Sequence, residues 1–177
     1  MLASSRPALW SMFPERTTKG RIGVSKRVFV MSDPQSFKDA ANPLAYEDRE
    51  RRPFATFAVI NPTMVPGDDG MADHLEACLS IEGYAGIVRR HKRIEVEFSD
   101  EFGNRNRLEL SGYPARIFQH EYDHLDGKFF SDDDRLVDDK FIVAPKDNDY
   151  KFRTLAELEE RIADGTIQRS ENYPSRV

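Results

Sequence analysis

The sequence predicts an α+β fold in which antiparallel strands pack around a central helix, with a further helix near the C-terminus. Ile94, Val96 and Phe98 alternate with polar residues, which is the period of a half-buried strand. From Ser111 onward the apolar residues recur with helical spacing, and Gly127 is suited to end that helix in a left-handed conformation. The change of period therefore predicts a strand-rich first part followed by the central helix.

The strands before that helix are predicted from short apolar runs. RVFVMS predicts a strand over residues 27–32, and FATFAVI predicts another over 54–60 that ends at Asn61-Pro62. Residues 33–53 contain three prolines and a charge run, so we expect an exposed loop there. The glycines and aspartates of residues 67–70 predict a turn, and residues from about 93 to 110 predict a hairpin.

The C-terminal helix is predicted from its capping pattern. Thr154 and Glu157 form a capping box, and Leu155, Leu158 and Ile162 have the spacing of a buried stripe. We expect this helix to end at Gly165 and to be structural.

Length and composition indicate one soluble domain. The chain has 177 residues, of which 39% are hydrophobic and 32% charged, and this size fits one domain with an adequate core. No apolar run approaches the roughly 18 residues of a membrane span, so we expect no membrane association. With a single cysteine, Cys78, an internal disulfide is excluded. We expect one domain over residues 21–177.

Charge is distributed unevenly along the chain. Residues 1–32 carry six basic residues and one acidic residue, which leaves 20 basic and 30 acidic residues for the remainder. An acidic body has no electrostatic footprint for nucleic acid, so we expect no direct DNA or RNA binding by the folded domain. The basic segment 1–20 fits either an organellar targeting sequence or a disordered N-terminus.

The strongest chemical signal is QHEYDHLDG, residues 119–127. His120 and His124 are four residues apart, so they project from one face of a helix and can close on one metal ion. Glu121 stands beside that ion, where a carboxylate can take a proton from water whose pKa the ion has lowered. The central helix is thus predicted to be a metal-binding helix. His74 and His91 have no such partners, and we expect both to be solvated.

Two histidines make an incomplete site, because catalytic zinc-like centres usually take three protein ligands. Cys78, in EACLS just before the predicted hairpin, is the best third candidate. Cysteines are also commonly buried for packing alone, so the sequence leaves both roles open.

EACLS followed by QHEYDHLDG resembles the peptide deformylase family, whose motifs read E-G-C-L-S and Q-H-E-x-D-H-L-x-G. The resemblance runs from about residue 21 to 130. It implies that Cys78, His120 and His124 hold a ferrous ion, replaceable by zinc, nickel or cobalt. It further implies that Glu121 is the general acid and base, and that the backbone N–H of Leu79 binds the formyl oxygen.

The chain departs from the family in its first motif, G-x-G-L-A-A-P-Q. The residues before RIGVSKRVFVM read PERTTKGR, so Arg21 stands where the family places a glutamine that donates to the formyl oxygen. Arg21 is therefore the candidate replacement donor, provided that a carboxylate such as Glu76 pairs with it. Ala77 also replaces the glycine of E-G-C-L-S.

The function that the resemblance implies is removal of the N-formyl group from the N-terminal methionine of nascent polypeptides. Its expected partners are N-formylmethionyl nascent peptides, with the ribosome as a further candidate. Two alternatives stay open: a deformylase-like metal-binding protein with weak or no activity, and an H-E-x-x-H metalloprotease. The expected location is a mitochondrion or other organelle, with the cytoplasm as the alternative.

Overall fold

The computed structural model describes residues 26–36, 47, 50–78, 80–81, 84–132, 136–143, 160–161, 163–165 and 169–170. Within these residues the chain forms two four-stranded antiparallel sheets and one long helix. The first sheet has the order β1-β2-β5-β6, and the second has the order β3-β4-β7-β8. The strands are β1 (Val28–Asp33), β2 (Phe54–Pro66), β3 (Met71–Ala77), β4 (Tyr84–His91), β5 (Arg93–Ser99), β6 (Arg105–Ser111), β7 (Leu136–Val143) and β8 (Arg169–Ser170).

The helix, α1 (Gly112–Leu125), contacts strands of both sheets. Towards the first sheet, Phe118 packs edge-to-face on Phe29 of β1 with ring centroids 5.2 Å apart, a contact worth about 0.5–1.5 kcal/mol beyond its area burial. Towards the second sheet, α1 presents polar groups to β3 and β4. The main apolar core lies between α1 and the first sheet, and a smaller one surrounds Cys78, Val88 and Phe130. Both sheets therefore hold α1 in place.

The limits of α1 agree with the sequence. Pro114 lies in the first turn, where the missing N–H would have no helical partner in any case. After Leu125 the chain turns at Gly127, which has a φ of +73° and so takes the left-handed conformation that glycine tolerates best. Ile117, His120 and His124 are buried, as predicted for one core-facing side of the helix.

The predicted end of the second strand at Asn61-Pro62 is wrong, because β2 continues to Pro66. The pairing of β2 with β5 shifts register between Ile60 and Thr63, and Asn61 has a φ of +48°. Asparagine tolerates this left-handed conformation, and proline is accepted at a bulge because no ladder hydrogen bond is required of it there. The turn signal thus marks a bulge inside one strand.

The expectation of an exposed loop over residues 33–53 is also wrong for two of its described residues. Asp33 and Arg51 are buried and form an ion pair with each other. The Arg51 guanidinium also lies 4.6 Å from the centre of the Tyr113 ring at the start of α1. A buried charge pair with a cation–π contact cannot be read from a polar run in the sequence.

The predicted turn at residues 67–70 and the hairpin of β5 and β6 are confirmed. Residues 160–161 and 163 are helical, with Gly165 at a φ of +78°, while the rest of the predicted C-terminal helix lies outside the described residues. The sequence patterns do not predict strands β3, β4, β7 and β8. Among the described residues, no helix is long and apolar enough to cross a membrane.

Candidate metal centre

The side chains of one cysteine and two histidines meet between α1 and the end of β3. Cys78 follows the end of β3, and His120 and His124 lie on successive turns of α1. The Sγ atom of Cys78 is 3.3 Å from Nε2 of His124, which is 3.1 Å from Nε2 of His120. All three ligand atoms lie within 4.8 Å of one another. Cys78 is thus brought to the histidine pair.

These separations suit one tetrahedral metal ion. With metal–nitrogen bonds of about 2.1 Å and metal–sulfur bonds of about 2.3 Å, neighbouring donor atoms lie roughly 3.4–3.6 Å apart. The observed distances of 3.1 and 3.3 Å are only slightly shorter. A small outward movement of the side chains would therefore admit the ion, and three protein donors leave a fourth position open.

The other ring nitrogen of each histidine is already engaged. Nδ1 of His120 lies 2.9 Å from Oε2 of Glu76, and Nδ1 of His124 lies 2.9 Å from the carbonyl oxygen of Lys128. A carboxylate and a carbonyl only accept hydrogen bonds, so each Nδ1 must carry the proton. In the neutral imidazoles, Nε2 then has the free lone pair that a metal requires.

Glu76 belongs to a buried charge cluster. It accepts a two-pronged hydrogen bond from Arg90 on β4, with both distances 2.8 Å. Arg90 also donates to Asp123 of α1. Burial opposes ionisation of Glu76, yet the charge and hydrogen bonds of Arg90 outweigh it and hold the pKa of this carboxyl well below its usual range. The Glu76 carboxylate, which the sequence suggests as a partner for Arg21, is therefore already hydrogen-bonded to Arg90 and His120.

The Cys78 thiol favours its ionised form. Burial acts against the thiolate, but hydrogen bonds and charge from His120 and His124 lower the pKa of Cys78 to about 5. Burial likewise acts against a charged His120, while Cys78 and Glu76 raise the pKa of its ring to about 10. Without an ion these shifts favour a thiolate at Cys78 and a charged His120, and the thiolate is the form that binds metals.

Glu121 is half-buried beside the three donors. Burial raises the pKa of its carboxyl, and the charges of His120 and His124 act in the opposite direction. A carboxylate whose pKa lies above its ordinary value is a better proton acceptor near neutral pH. This environment fits the general acid–base residue that the sequence predicts.

Other predicted site residues have different outcomes. Leu79 and Arg21 lie outside the described residues. His74 and His91 are half-buried rather than solvated. For His74, burial and the nearby charge of Arg116 lower the pKa to about 4. Both histidines lie on strands that were not predicted, so the burial of their side chains was missed.

Sequence reasoning missed the groups that orient the histidines. The sequence suggests Glu76 only as a partner for Arg21, although Glu76 opens EACLS two residues before Cys78. Arg90 and the Lys128 carbonyl were not identified at all. No spacing rule finds them, because they reach the site by strand pairing and by the turn after α1.

The fold and the site together define a class: an α+β protein whose helix and adjoining strand present a Cys-His-His donor set able to hold a metal ion. The chain belongs to the polypeptide deformylase family, whose family model matches residues 20–140. The resemblance drawn from EACLS and QHEYDHLDG is thereby confirmed.

Individual relatives agree with this membership. The chain is 33% identical over 145 residues to peptide deformylase 1A, chloroplastic, of Solanum lycopersicum, covering 82% of this chain and 48% of the relative. The crystal structure of peptide deformylase from Ehrlichia chaffeensis matches with a TM-score of 0.51 and 29% identity, covering 81% of this chain and 72% of that one. A Met-Ala-Ser-bound class I type b peptide deformylase from Acinetobacter baumannii matches with a TM-score of 0.50 and 30% identity, covering 60% and 62%. The chain spans about half the length of the tomato relative.

Proposed function

We propose that this chain is a metal-dependent hydrolase that removes the N-formyl group from the N-terminal methionine of nascent polypeptides. Membership in the deformylase family supports the reaction class. The observation that carries the proposal is the meeting of Cys78, His120 and His124, whose ligand atoms lie within 4.8 Å of one another while Nδ1 of each histidine is engaged elsewhere. Because these donors lie on α1 and beside it, α1 acts as the metal-binding helix.

The donor set determines which ions the centre accepts. A thiolate and two imidazoles suit iron, zinc, nickel and cobalt better than the hard ions magnesium or calcium. We propose Fe(2+) as the native ion, replaceable by Zn(2+), Ni(2+) or Co(2+). A bound divalent ion supplies Lewis-acid polarisation of the formyl oxygen and lowers the pKa of water.

Glu121 moves the proton in the proposed reaction. Its carboxylate accepts a proton from the water that attacks the formyl carbon, and it later gives this proton to the leaving amine nitrogen. The bond between the formyl carbon and that nitrogen breaks, which yields formate and a free N-terminal methionine. Its half-buried position keeps the carboxylate in the raised-pKa environment that such a residue needs.

Two further groups are proposed to stabilise the oxyanion that forms on the formyl oxygen. The backbone N–H of Leu79 is the first proposed donor, because this residue directly follows Cys78 in the chain. Arg21 is the proposed second donor, in place of the family's glutamine, and its charge would need a carboxylate other than Glu76, which Arg90 and His120 occupy. Each such donor is typically worth about 10²–10³ in rate.

N-formylmethionyl nascent peptides are the proposed substrates. The relative from Acinetobacter baumannii is bound to Met-Ala-Ser, a tripeptide that begins with an unformylated methionine. This is the form of peptide that deformylation would release, which supports the same substrate class here. Because nascent chains emerge from ribosomes, we propose the ribosome as a further partner.

The test is formate release from formyl-Met-Ala-Ser by the full chain, prepared anaerobically and loaded in turn with Fe(2+), Co(2+), Ni(2+) and Zn(2+). Metal-dependent formate release is the expected result. Acetyl-Met-Ala-Ser serves as the control, since an N-acetyl group should not be removed. Full metal occupancy without formate release would overturn the proposal and leave the alternative of a metal-binding relative with weak or no activity, which the diverged segment before residue 21 favours.

A metalloprotease is the less favoured reading of H-E-x-x-H. Such an enzyme would take its third ligand downstream of the second histidine, whereas Cys78 lies upstream on the strand side of the site. Cleavage of an unformylated peptide at an internal bond would reverse this preference.

For cellular location, we propose an organelle, with residues 1–20 as the targeting segment and residues 21–177 as one domain. The basic character of residues 1–20 and the chloroplastic relative from tomato support this choice. Fusion of residues 1–20 to a fluorescent protein tests it. Organellar fluorescence is expected, and diffuse cytoplasmic fluorescence would contradict the proposal.

A further inference from the structure

Arg90 is the one residue of the charge cluster that lies outside both sequence motifs of the site. It sits on β4 and is buried between two carboxylates. Its Nε and Nη2 donate to the two oxygens of Glu76 at 2.8 Å, and its Nη1 donates to Oδ2 of Asp123 at 2.5 Å. One guanidinium therefore holds two acidic side chains from different elements.

Those two elements carry the proposed metal ligands. Glu76 is on β3, two residues before Cys78, and Asp123 is on α1 between His120 and His124. Glu76 also accepts the Nδ1 hydrogen bond of His120. Arg90 thus links β3, which leads to Cys78, with α1, which bears both histidines. It also orients the Glu76 carboxylate, which is hydrogen-bonded to the His120 ring.

We propose that Arg90 is a positioning residue that sets the separation of Cys78 from the histidine pair and the ring orientation of His120, and thereby the affinity and geometry of the metal centre. This inference rests on the proposed function only in its metal-binding step. It is independent of which peptide is hydrolysed.

The role depends on the shape of the guanidinium as well as on its charge. Arginine presents several N–H groups in a fixed plane, so it can bind both oxygens of one carboxylate and still reach a second acid. Lysine carries the same charge on a single ammonium and cannot reproduce this fork. Arg90→Lys therefore keeps the charge and removes the geometry.

The chain contains a matched control for this substitution. Arg51 forms a buried pair with Asp33, and the side chains are 4% and 1% exposed, against 3% and 2% for Arg90 and Glu76. The Arg51 guanidinium packs on the Tyr113 ring at the start of α1, and its Nε and Nη2 donate to Asp33. Neither Tyr113 nor Asp33 is a proposed metal ligand. Arg51→Lys therefore repeats the loss of a buried guanidinium away from the metal.

The experiment compares the wild-type chain, Arg90→Lys and Arg51→Lys, each titrated with Co(2+) under anaerobic conditions. Cobalt affinity, the thiolate-to-cobalt charge-transfer absorption and the visible ligand-field bands are measured, together with the melting temperature of each metal-free chain. Arg90→Lys is expected to bind cobalt about 10–100-fold more weakly, the usual effect of losing an outer-shell partner, with altered bands. Arg51→Lys is expected to lose stability while keeping wild-type affinity and bands.

Wild-type affinity and bands in Arg90→Lys would overturn the inference, as would equal changes in both variants. If Arg90→Lys does not fold, Asp123→Asn decides, because it keeps the size of the side chain and one acceptor oxygen but loses the charge and exchanges the other oxygen for an NH2 donor. Asp123→Asn is expected to weaken cobalt binding in the same direction, and an unchanged titration would contradict the role. Failure of the wild-type chain to bind cobalt would instead overturn the metal centre itself.

Discussion

Nδ1 of His124 is hydrogen-bonded to the carbonyl oxygen of Lys128, 2.9 Å away and four residues later in the chain. The N–H of Lys128 in turn donates to the carbonyl oxygen of Asp123 at 2.9 Å, and Gly127 between them has a φ of +73°. The turn that ends α1 therefore also fixes the ring of a proposed metal ligand. This second histidine depends on backbone geometry, whereas His120 depends on the side chain of Glu76.

We predict that Gly127→Ala destabilises the chain and also weakens metal binding. The left-handed conformation costs a non-glycine residue about 1–2 kcal/mol, and relief of that strain moves the Lys128 carbonyl away from His124. A β-carbon at Gly127 would meet no atom within 4 Å apart from its two chain neighbours, so the expected loss comes from backbone strain and not from a clash with packed groups. Denaturant unfolding and cobalt titration measure the two consequences.

Gly103→Ala is the control for this prediction. Gly103 has a φ of +83° and the same open surroundings, but it lies in the turn between β5 and β6. It should show a similar loss in the free energy of unfolding with unchanged cobalt affinity. If both variants bind cobalt like the wild type, the turn after α1 does not control His124.

Removal of the thiolate ligand should abolish stable metal binding. We predict that Cys78→Ala purifies with little metal and binds cobalt more than about 100-fold more weakly, since loss of an outer-shell partner alone costs 10–100-fold. Metal analysis and melting temperature with and without added ion are the measurements. Wild-type metal content and an unchanged melting temperature would show that Cys78 is only a core residue.

The metal-free chain should contain a thiolate at neutral pH. The pKa of Cys78 is lowered from 9.0 to about 5, so its ultraviolet thiolate absorbance should disappear with a midpoint near 5. His120→Gln should move this midpoint upward, because the charge and hydrogen bond that favour the thiolate are lost. A wild-type midpoint near 9.0 would contradict a thiolate at Cys78 in the metal-free chain.

The shifted pKa values of Cys78 and His120 predict how stability of the metal-free chain depends on pH. The lowered pKa of Cys78 contributes stability that is fully present above pH 9.0 and is lost as pH falls through about 5. The raised pKa of His120 contributes stability that is fully present below pH 6.5 and is lost as pH rises through about 10. The two contributions together are therefore largest between about pH 6.5 and 9.0. In this range the free energy of unfolding of the wild type should exceed that of a Cys78→Ala, His120→Gln double variant by the largest amount, as urea unfolding across pH would measure.

Glu121→Gln should separate metal binding from proton transfer. Glutamine has nearly the same size but cannot accept a proton, and Glu121 is not one of the three donors. We expect full metal content and at least about 10²-fold slower deformylation, in line with general acid–base contributions. Wild-type turnover at equal occupancy would exclude Glu121 as the base.

The segment before residue 21 should limit turnover rather than metal binding. We predict that replacing PERTTKGR, residues 14–21, with the family's first motif raises the rate by about two orders of magnitude, the typical worth of one oxyanion donor. Oxyanion donors act mainly in the transition state, so metal content should stay the same. Ordinary enzyme rates in the natural chain, unchanged by the replacement, would show that another segment supplies the donor.

Local patterns in the sequence predict the parts of the fold that depend on local physics. The alternation in β5 and the helical spacing in α1 follow from which side of an element is buried, and both are confirmed. The pairing of His120 with His124 needs only the pitch of one helix. The family is predicted from EACLS together with QHEYDHLDG, and the family model confirms it.

Contacts between distant elements could not be predicted in the same way. β4 carries two adjacent arginines and no clean alternation, so neither the strand nor the burial of Arg90 between Glu76 and Asp123 is visible in its composition. The sequence Asn61-Pro62 is typical of a turn, but in the folded chain β2 pairs with β5 on both sides of it, so it forms a bulge within the strand.

The sequence by itself therefore determined the donor types, the helix that bears two of them and the family. The tertiary structure decided which groups surround those donors. Cys78 lies 46 residues from His124 along the chain and 3.3 Å from it in space, and Glu76, Arg90 and the Lys128 carbonyl reach the histidines only when β3, β4 and α1 pack together. Local sequence encodes propensity and periodicity, whereas tautomers, pKa values and ligand separations depend on through-space charge and burial that only the folded chain creates.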